Sequence, residues 1–377
     1  MRLLSTKLLT SLLALTMLGA CTKKANTEIV IGHFGSMTGS EATFGLSTDE
    51  GIRLAIDEVN ASGGIKGKKI KLITMDDQGK AEEAAAVVTR LIEQDKVVAL
   101  LGEVASSRSL AAAPIAQSKQ IPMLTPSSTN PKVTEVGNYI FRACFIDPFQ
   151  GTVMAKFAIE NLKLKKVAVL RDVKSDYSVG LADFFIAKFK ELGGEIVADT
   201  SYQSSDVDFK AQLTSLRSKN PEALFIPGYY TEVGLIARQA RELGIKATLL
   251  GGDGWDSPKL SEIGKEAING GYFSNHYSTE SQEPAAVDFM NKFKAKYNKQ
   301  PDGLSSVAYD ATRMLLKAIS STNEVTASTI RDQLAAIKEF VGATGKISID
   351  NNRNAVKSAV VVQVQGADNK YVTTINP

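Results

Sequence analysis

The amino-acid sequence predicts an α/β protein in which helices cover both faces of parallel sheets, with the chain divided between two lobes. Short β-branched runs alternate with segments whose apolar residues recur every three or four positions, an alternation typical of βαβ units. A length of 377 residues exceeds what one hydrophobic core usually serves. A pattern of aromatic residue, helix, paired glycines and strand also occurs twice. Together these observations favour two similar lobes.

The N-terminus has the pattern of an export signal. Arg2 and Lys7 precede an apolar run at 8–18, which is shorter than the roughly 20 residues that span a bilayer as a helix. We therefore predict a secretory signal peptide at 1–20. Residues 18–21 resemble the bacterial lipobox, in which the cysteine is acylated, so we expect lipid on Cys21 and a lipidated tether at 21–27.

Composition narrows the possible classes of protein. Once lipid modifies Cys21, Cys144 is the one cysteine left in the mature domain, so we expect no internal disulfide. The formal net charge is +3, and residues of both signs are mixed along the chain. Nucleic-acid binders concentrate positive charge on one face. We expect no nucleic-acid partner, and we interpret the lysines at 66–69 as part of a solvated turn.

The predicted elements follow in order along the chain. Buried strands are predicted at 29–31, 70–74, 97–101, 167–170, 223–226 and 248–250, and in the apolar run that precedes 125–131. Amphipathic helices are predicted between them, around Ile52 and Ile56, Val88 and Leu91, Leu213 and Leu216, and Val233 and Ile236.

The repeated pattern places Phe44-Gly45 and Tyr177 to Gly180 just before two similar helices, which end at the glycine pairs 63–64 and 193–194. A duplication explains this echo, and ordinary α/β patterning without duplication also accounts for it. After Gly271, three helical segments are expected to return and cover the first lobe. The β-branched run 355–364 is predicted to begin a closing hairpin.

Polar and glycine-rich loops follow the strands of both lobes. In the first lobe they are 35–39, 102–107 and 127–129, and in the second they are 172–177, 228–232 and 251–256. Ligands of open α/β sheets bind outside the carboxyl ends of the strands. For 120–131 alone an ordinary strand-to-helix turn is an equal alternative. Repetition at six strand ends favours a binding site.

The residue types in these loops indicate the chemistry of the ligand. Hydroxyl and N–H groups at helix starts suit a carboxylate, and Asp253 between glycines suits a cation. The aromatic residues Phe44, Tyr177 and Tyr229 fall in the loops as well. This combination fits a zwitterion with an apolar side chain, which describes an amino acid.

The order of several motifs resembles the leucine/isoleucine/valine-binding family of ABC-transporter solute-binding proteins. The motifs are 63–67, 76–77, 102–107, 125–131, 228–229 and 251–258, and the resemblance covers essentially the whole mature chain. It implies a periplasmic-binding-protein-like type I fold, with two Rossmann-like lobes joined by three crossings. The expected lobes are 28–146 plus 277–341, and 147–276 plus 342–377.

The resemblance also implies roles for individual residues. Ser106 and Thr129 would bind the ligand carboxylate, and Ser127, through its carbonyl, would bind the ammonium together with Asp253. The other expected ligand-binding residues are Phe44, Ser128, Tyr177, Tyr229 and Trp255, the last of which either enters the pocket or packs at the edge of the lobe.

Two departures from the family pattern affect this expectation. Leucine binders of the family usually have glutamate where Asp253 stands, so the carboxylate is one methylene shorter and the pocket can admit a different ligand. The disulfide that some members form after the Asp-Asp motif is absent. The family also binds short amides, urea and aromatic acids, which keeps these ligands open as alternatives.

We therefore expect a periplasmic or cell-envelope lipoprotein that captures an amino acid, branched-chain or otherwise apolar, for the permease of an ABC importer. A ligand-sensing receptor on the same fold is the alternative. We expect a monomer without cofactor or metal, held at the membrane by its lipid alone. An enzyme is disfavoured because His33 and His276 have no metal-ligand spacing, and because Cys144 lies in an apolar context.

Overall fold

A computed structural model describes residues 28–366 and 368–377 of the chain. The predicted signal peptide, the tether and Cys21 lie outside these residues. Within the described part, no helix has both the length and the apolar character needed to cross a bilayer.

The chain forms three successive groups of elements. The first is β1 (Glu28–Gly35), α1 (Ala42–Ala61), β2 (Lys69–Asp76), α2 (Ala81–Glu93), β3 (Ala99–Leu101), α3 (Ser106–Ser118), β4 (Met123–Thr125), α4 (Lys132–Glu135) and β5 (Ile140–Arg142). The second is α5 (Asp147–Lys156), β6 (Lys166–Asp172), α6 (Asp176–Glu191), β7 (Glu195–Tyr202), α7 (Lys210–Arg217), β8 (Ala223–Phe225), α8 (Tyr230–Glu242), β9 (Thr248–Gly251), α9 (Pro258–Gly264) and β10 (Tyr272–Asn275). The third is α10 (Pro284–Tyr297), α11 (Gly303–Ser321), α12 (Ala327–Ala335), β11 (Phe340–Gly342), β12 (Gly345–Ile349), β13 (Ala355–Val356), β14 (Ala359–Gln365) and β15 (Asp368–Ile375).

Two sheets with the same strand order confirm the predicted α/β class and the two lobes. The first sheet has the order β2-β1-β3-β4-β5, and all its pairs are parallel. The second has the order β7-β6-β8-β9-β10, extended by the antiparallel strands β14 and β15. Each is an open, mostly parallel sheet, and in such sheets ligands bind outside the carboxyl ends of the strands. The chain passes between the lobes after β5, after β10 and after β13.

Each sheet is buried on both faces. On one face of the first sheet, Ile31 of β1 packs with Ile52 of α1 and with Met314 of α11. On the other, Phe34 lies among residues of α2 and α3 such as Val88 and Ala112. Helix α11 is buried along most of its length. The segments after Gly271 therefore do return to cover the first lobe, as the sequence predicts.

Strands β5, β7 and β10 of the structure are not predicted from the sequence. Strand β7 is at the edge of its sheet, and its residues are mostly half-buried or exposed, so it lacks a continuous apolar run. Strand β5 is only three residues long and ends in Arg142. Strand β10 contains Ser274 and Asn275. Polar residues inside short buried strands hide them from a search for apolar runs.

The closing hairpin forms, but its boundaries differ from those predicted. Strand β14 pairs with β15 as a hairpin, whereas β13 pairs with β12 in a separate small sheet. Ile347, Ile349 and Ala355 of that small sheet pack in the core beside β1 and α11. The sequence predicts 342–356 as part of the second lobe. We propose instead that the first lobe continues to Val356 and that the last crossing is 357–358.

Close contact between α1 and α11 generates a prediction for stability. A methyl group at Gly51 of α1 would lie 2.1 Å from the carbonyl oxygen of Ser305 in α11. Intrinsic helix propensity favours alanine over glycine by about 1 kcal/mol, whereas forcing extra volume into a packed contact costs about 1–3 kcal/mol. We expect Gly51→Ala to lower the free energy of unfolding by up to about 2 kcal/mol, the difference between these two terms, measured by denaturant titration. Leu46→Ala, at a half-exposed position of the same helix, is the control and should change it by less than about 0.5 kcal/mol. A more stable Gly51→Ala protein would contradict the packing argument.

Candidate functional site

The carboxyl-end loops of the two sheets face each other across a small cavity. Its volume is about 10 Å³, and it is lined by Phe44, Val104, Ser127, Tyr177, Tyr229, Asp253, Gly254 and Leu304. Five of the residues predicted from sequence are in this lining: Phe44, Ser127, Tyr177, Tyr229 and Asp253. Such a volume is about what one water molecule requires. A larger molecule therefore enters only when the lobes or their aromatic side chains move apart.

Hydrogen bonds between the lobes define this arrangement as closed. The amide of Asn130 donates to the carbonyl of Asp176 at 2.8 Å, and the backbone N–H of Asp176 donates to Ser107 Oγ at 3.0 Å. On the other side of the cavity, Thr231 Oγ1 donates to the carbonyl of Ser40 at 2.8 Å. These bonds join the rims of the two sheets directly.

Arg142 fixes the loop after β4 through hydrogen bonds to the backbone carbonyls of that loop. This fully buried residue ends β5, and its guanidinium donates to the carbonyls of Ser128, of Asn130 at 2.8 Å and of Pro131 at 3.2 Å. Its Nε donates to Asn354 Oδ1 at 2.7 Å. Burial lowers the pKa of Arg142, but a guanidinium keeps its proton in proteins. The loop is thus fixed in shape and lies over a buried positive charge.

The hydroxyl residues of the first lobe have distinct positions. Ser106 is the first residue of α3, and its Oγ accepts from the backbone N–H of Asn130 at 3.2 Å. Thr129 Oγ1 is buried and has no hydrogen-bond partner among the described residues. Ser128 Oγ instead donates to the carbonyls of Glu103 and Val104, both at 2.9 Å. The Ser128 hydroxyl is therefore directed into its own lobe and not into the cavity, contrary to the prediction from sequence.

On the second lobe, Asp253 is held on both carboxylate oxygens. Gln150 Nε2 of α5 donates to Oδ1 at 2.9 Å, and His276 Nε2 lies 3.1 Å from Oδ2. Ser127 Oγ of the first lobe lies 3.5 Å from the same Oδ2. The carboxylate therefore lies where the two lobes meet, as expected for a group that binds a cation between them.

Gln150 and His276 are site residues that sequence analysis did not find. Gln150 is 103 positions from Asp253, within a helix that carries no site motif, and His276 follows the unpredicted strand β10. The only sequence signal was that His276 is one of two histidines in the chain.

An aromatic layer separates the lobes beside the carboxylate. Phe44 of the first lobe packs edge-on against Tyr229 with ring centroids 5.4 Å apart, and Tyr229 stacks on Tyr177 at 5.3 Å. The hydroxyl of Tyr177 accepts from the backbone N–H of Gly254 at 3.1 Å. Burial raises the pKa of both tyrosines well above its usual value. They are neutral walls suited to an apolar group.

Trp255 does not line the cavity. It is fully buried in the second-lobe core beside Phe273, and its Nε1 donates to the carbonyl of Ile226 at 2.9 Å. A side chain on Gly251 would overlap the indole. The sequence left open whether Trp255 enters the pocket or packs within its lobe, and the structure shows that it packs within its lobe.

Cys144, Asp76 and Asp77 do not line the cavity. Cys144 is buried, and burial raises the pKa of its thiol to about 12. Asp76 accepts from the backbone N–H groups of Met37 and Thr38, whereas Asp77 accepts from Ser36 Oγ. Within the described residues, no group of three or more His, Cys, Asp or Glu side chains could hold a metal ion.

Comparison with known families defines the class of this protein. A family model described as periplasmic binding protein matches residues 28–370. The chain therefore belongs to the periplasmic binding protein family, and it is a binding protein rather than an enzyme.

Relatives within the family are named as amino-acid binding proteins. An amino acid binding protein of Pseudomonas aeruginosa is 34% identical over 301 residues, covering 78% of this chain and 79% of that protein. Among solved structures, the leucine binding protein LivK of Thermotoga maritima is 43% identical with a TM-score of 0.89, covering 93% of this chain and 99% of its own. The branched-chain amino acid transporter protein LivJ of Streptococcus pneumoniae, in complex with isoleucine, is 35% identical with a TM-score of 0.88, covering 93% and 100%.

Asp147 generates a prediction on pH. It is the first residue of α5, next to the site loop, and burial raises the pKa of its carboxyl group from 3.8 to about 8. Between these values the unfolded chain ionises Asp147 while the folded chain keeps it protonated, so the free energy of unfolding falls as pH rises toward 8. We expect Asp147→Asn to remove this penalty. The free energy of unfolding of Asp147→Asn minus that of the wild type should increase by more than about 1 kcal/mol between pH 4 and pH 8. The reason is that a pKa shift of one unit corresponds to about 1.4 kcal/mol.

The measurement is the midpoint of thermal unfolding for both proteins between pH 4 and pH 9. Glu242→Gln, which replaces an exposed carboxyl group in α8, should show no comparable trend with pH. A difference between Asp147→Asn and wild type that stays constant with pH would show that Asp147 is ionised in the folded protein.

Proposed function

We propose that this protein is an extracytoplasmic solute-binding lipoprotein of an ABC importer, and that it captures an amino acid with a branched or other apolar side chain. The observation that carries the proposal is the position of the Asp253 carboxylate. It comes from the second lobe and meets the hydroxyl loop of the first lobe at an aromatic-walled cavity in the cleft. Closure of the lobes would bury the ligand between these groups.

Each part of an amino acid finds a complementary group at this cleft. The Asp253 carboxylate suits the ammonium, because charge-assisted hydrogen bonds are about twice as strong as neutral ones. The start of α3 with Ser106, and the loop at Thr129 over the Arg142 guanidinium, suit the carboxylate. Phe44, Tyr177 and Tyr229 suit an apolar side chain. The isoleucine complex of the similar LivJ protein supports this assignment.

The proposed compartment rests on the family and on the N-terminal sequence. Periplasmic binding proteins act outside the cytoplasm, and the basic, apolar and cysteine pattern of 1–21 matches an exported lipoprotein. We propose that lipid on Cys21 anchors the mature protein, that it delivers ligand as a monomer, and that its partner is the membrane permease of the importer.

The first test of the function is calorimetric titration of the mature domain, from Thr22 onward, with branched, small and aromatic amino acids, and then with short amides and aromatic acids. We expect one-to-one binding of an apolar amino acid. Asp253→Asn should weaken that binding about 10- to 100-fold, because a hydrogen bond to a charged group contributes roughly 1.5–3 kcal/mol. The amide would also place an N–H group opposite the donors of Gln150 or His276.

Trp255→Phe is a control for general damage to the second lobe, because Trp255 packs in the core outside the cavity. It should lower the free energy of unfolding of the protein and leave the affinity for the ligand nearly unchanged. Unchanged affinity in Asp253→Asn would contradict the ammonium role, and binding confined to amides or aromatic acids would contradict the amino-acid assignment.

Lipidation is tested separately with the full-length chain. We expect the wild-type protein to fractionate with membranes and Cys21→Ser to be found in the soluble extracytoplasmic fraction, because the lipid on Cys21 is the proposed anchor. Mass spectrometry of the wild-type N-terminus should show acyl chains on Cys21, and Cys144→Ser is the matched control. A wild-type protein without acyl chains would contradict the anchor.

A further inference from the structure

The three segments that join the lobes meet around His276. His276 lies in the second crossing, and its ring packs against Phe145 of the first crossing with ring centroids 4.2 Å apart. The carbonyl of His276 accepts from Nζ of Lys357, in the third crossing, at 3.4 Å. All three residues are at least 98% buried. The cluster of Phe145, His276 and Lys357 is therefore the common core of the crossings, which we call the crossing cluster.

The same histidine contacts the proposed ligand site. Its Nε2 lies 3.1 Å from Asp253 Oδ2 and 3.3 Å from Ser127 Oγ, so it contacts one group from each lobe. Its Nδ1 is buried and has no partner among the described residues. Because an ionised carboxylate only accepts hydrogen bonds, Nε2 carries the ring proton and donates to Asp253. The ring is then neutral, in agreement with the lowering of the His276 pKa by burial.

The second oxygen of the carboxylate is fixed by Gln150. Gln150 Nε2 donates to Asp253 Oδ1 at 2.9 Å, while its Oε1 accepts from the Asp253 backbone N–H at 3.0 Å. Ser274 Oγ, from β10, donates to the same Oε1 at 2.9 Å and orients the amide. With one donor on each oxygen, the carboxylate plane cannot rotate. A short aspartate is thereby aimed in one direction, at the cavity.

We propose that His276 is a positioning residue: it holds the Asp253 carboxylate in the orientation that receives the ligand ammonium, and it ties that carboxylate to the crossings between the lobes. This inference rests on the proposed function and assigns a further residue to the same site. It explains how a site with aspartate keeps a defined ammonium contact although the carboxylate is one methylene shorter than a glutamate.

The link to the crossing cluster has a mechanical consequence. Movement of the lobes requires rotation about the crossings, and His276 lies in one crossing while it touches the other two. Ser127, on the first lobe, comes within reach of both His276 Nε2 and Asp253 Oδ2. Opening would separate Ser127 from this pair. The ammonium site is thus complete only in the closed arrangement, which makes a ligand with an ammonium group favour closure.

The test compares two probes that differ only in the ammonium group, L-leucine and 4-methylpentanoate. Their affinities are measured by calorimetry, directly or by displacement, for wild type, His276→Leu, His276→Gln and Asp253→Asn. We expect His276→Leu to weaken the binding of leucine about 10-fold, which is the loss expected for a hydrogen bond to a charged group. The affinity for 4-methylpentanoate should change by less than about 3-fold. His276→Gln keeps an N–H donor and should recover most of the leucine affinity.

A double-mutant cycle tests whether His276 acts through Asp253. Adding His276→Leu to Asp253→Asn should cost little further affinity for leucine, because the carboxylate that His276 positions is already gone. Lys357→Met is the matched control, since it alters the crossing cluster at the carbonyl of His276 and contacts neither the His276 ring nor Asp253. The control should weaken the binding of both probes by the same factor.

The outcomes separate this inference from the proposed function. A wild-type protein that binds neither leucine nor any other apolar amino acid of the calorimetric panel would overturn the function and the inference together. If the wild type binds leucine and His276→Leu weakens both probes equally, or neither, only the role of His276 is overturned. The His276→Gln protein keeps the test decisive should His276→Leu fail to fold, because a positioning role requires its selectivity for leucine to stay near the wild-type level.

Discussion

The buried guanidinium of Arg142 is the constraint on which the first-lobe half of the site depends. Burying a charge is costly unless its hydrogen-bonding capacity is met, and here the acceptors are the carbonyls of Ser128, Asn130 and Pro131 with the side chain of Asn354. The loop cannot change shape without leaving the charge unsatisfied. Its shape in turn places Ser127 in the lining of the cavity. One cation at the end of β5 thus organises a loop, the small sheet behind it and the face presented to a ligand.

The second lobe uses the opposite charge in the same way. The Asp253 carboxylate is fixed by Gln150 on one oxygen and by His276 on the other, as the Arg142 guanidinium is fixed by neutral carbonyls. The Arg142 guanidinium is fully buried below its loop and does not line the cavity, whereas the Asp253 carboxylate does. In the proposed function the two lobes contribute different ends of one site, the hydroxyl loop with Ser127 on the first lobe and the Asp253 carboxylate on the second.

Closure depends on a modest set of contacts. The lobes meet through neutral hydrogen bonds such as Thr43 to Ser257 at 2.9 Å and through the packing of Phe44 on Tyr229. Each such bond contributes only about 1 kcal/mol net, because water replaces it in the open form. The balance between open and closed forms is then small enough for a ligand to shift. The crossings connect this balance to the site, since His276 belongs to both.

The sequence by itself determined the α/β class, the two lobes, and the strand-end loops and helix starts that carry Phe44, Ser127, Tyr177, Tyr229 and Asp253. These features are local, because apolar periodicity marks the elements and the segments that follow a buried strand lie at its carboxyl end. Only the tertiary structure decided which of those side chains face the cavity. Ser128 turns into its own lobe to meet the carbonyls of Glu103 and Val104, and Trp255 enters the core to meet that of Ile226. Gln150 and His276 join the site because α5 and β10 bring them to Asp253 from distant parts of the chain. These contacts depend on how distant segments of the chain are brought together when the crossings orient the two lobes. A local sequence pattern does not contain that information.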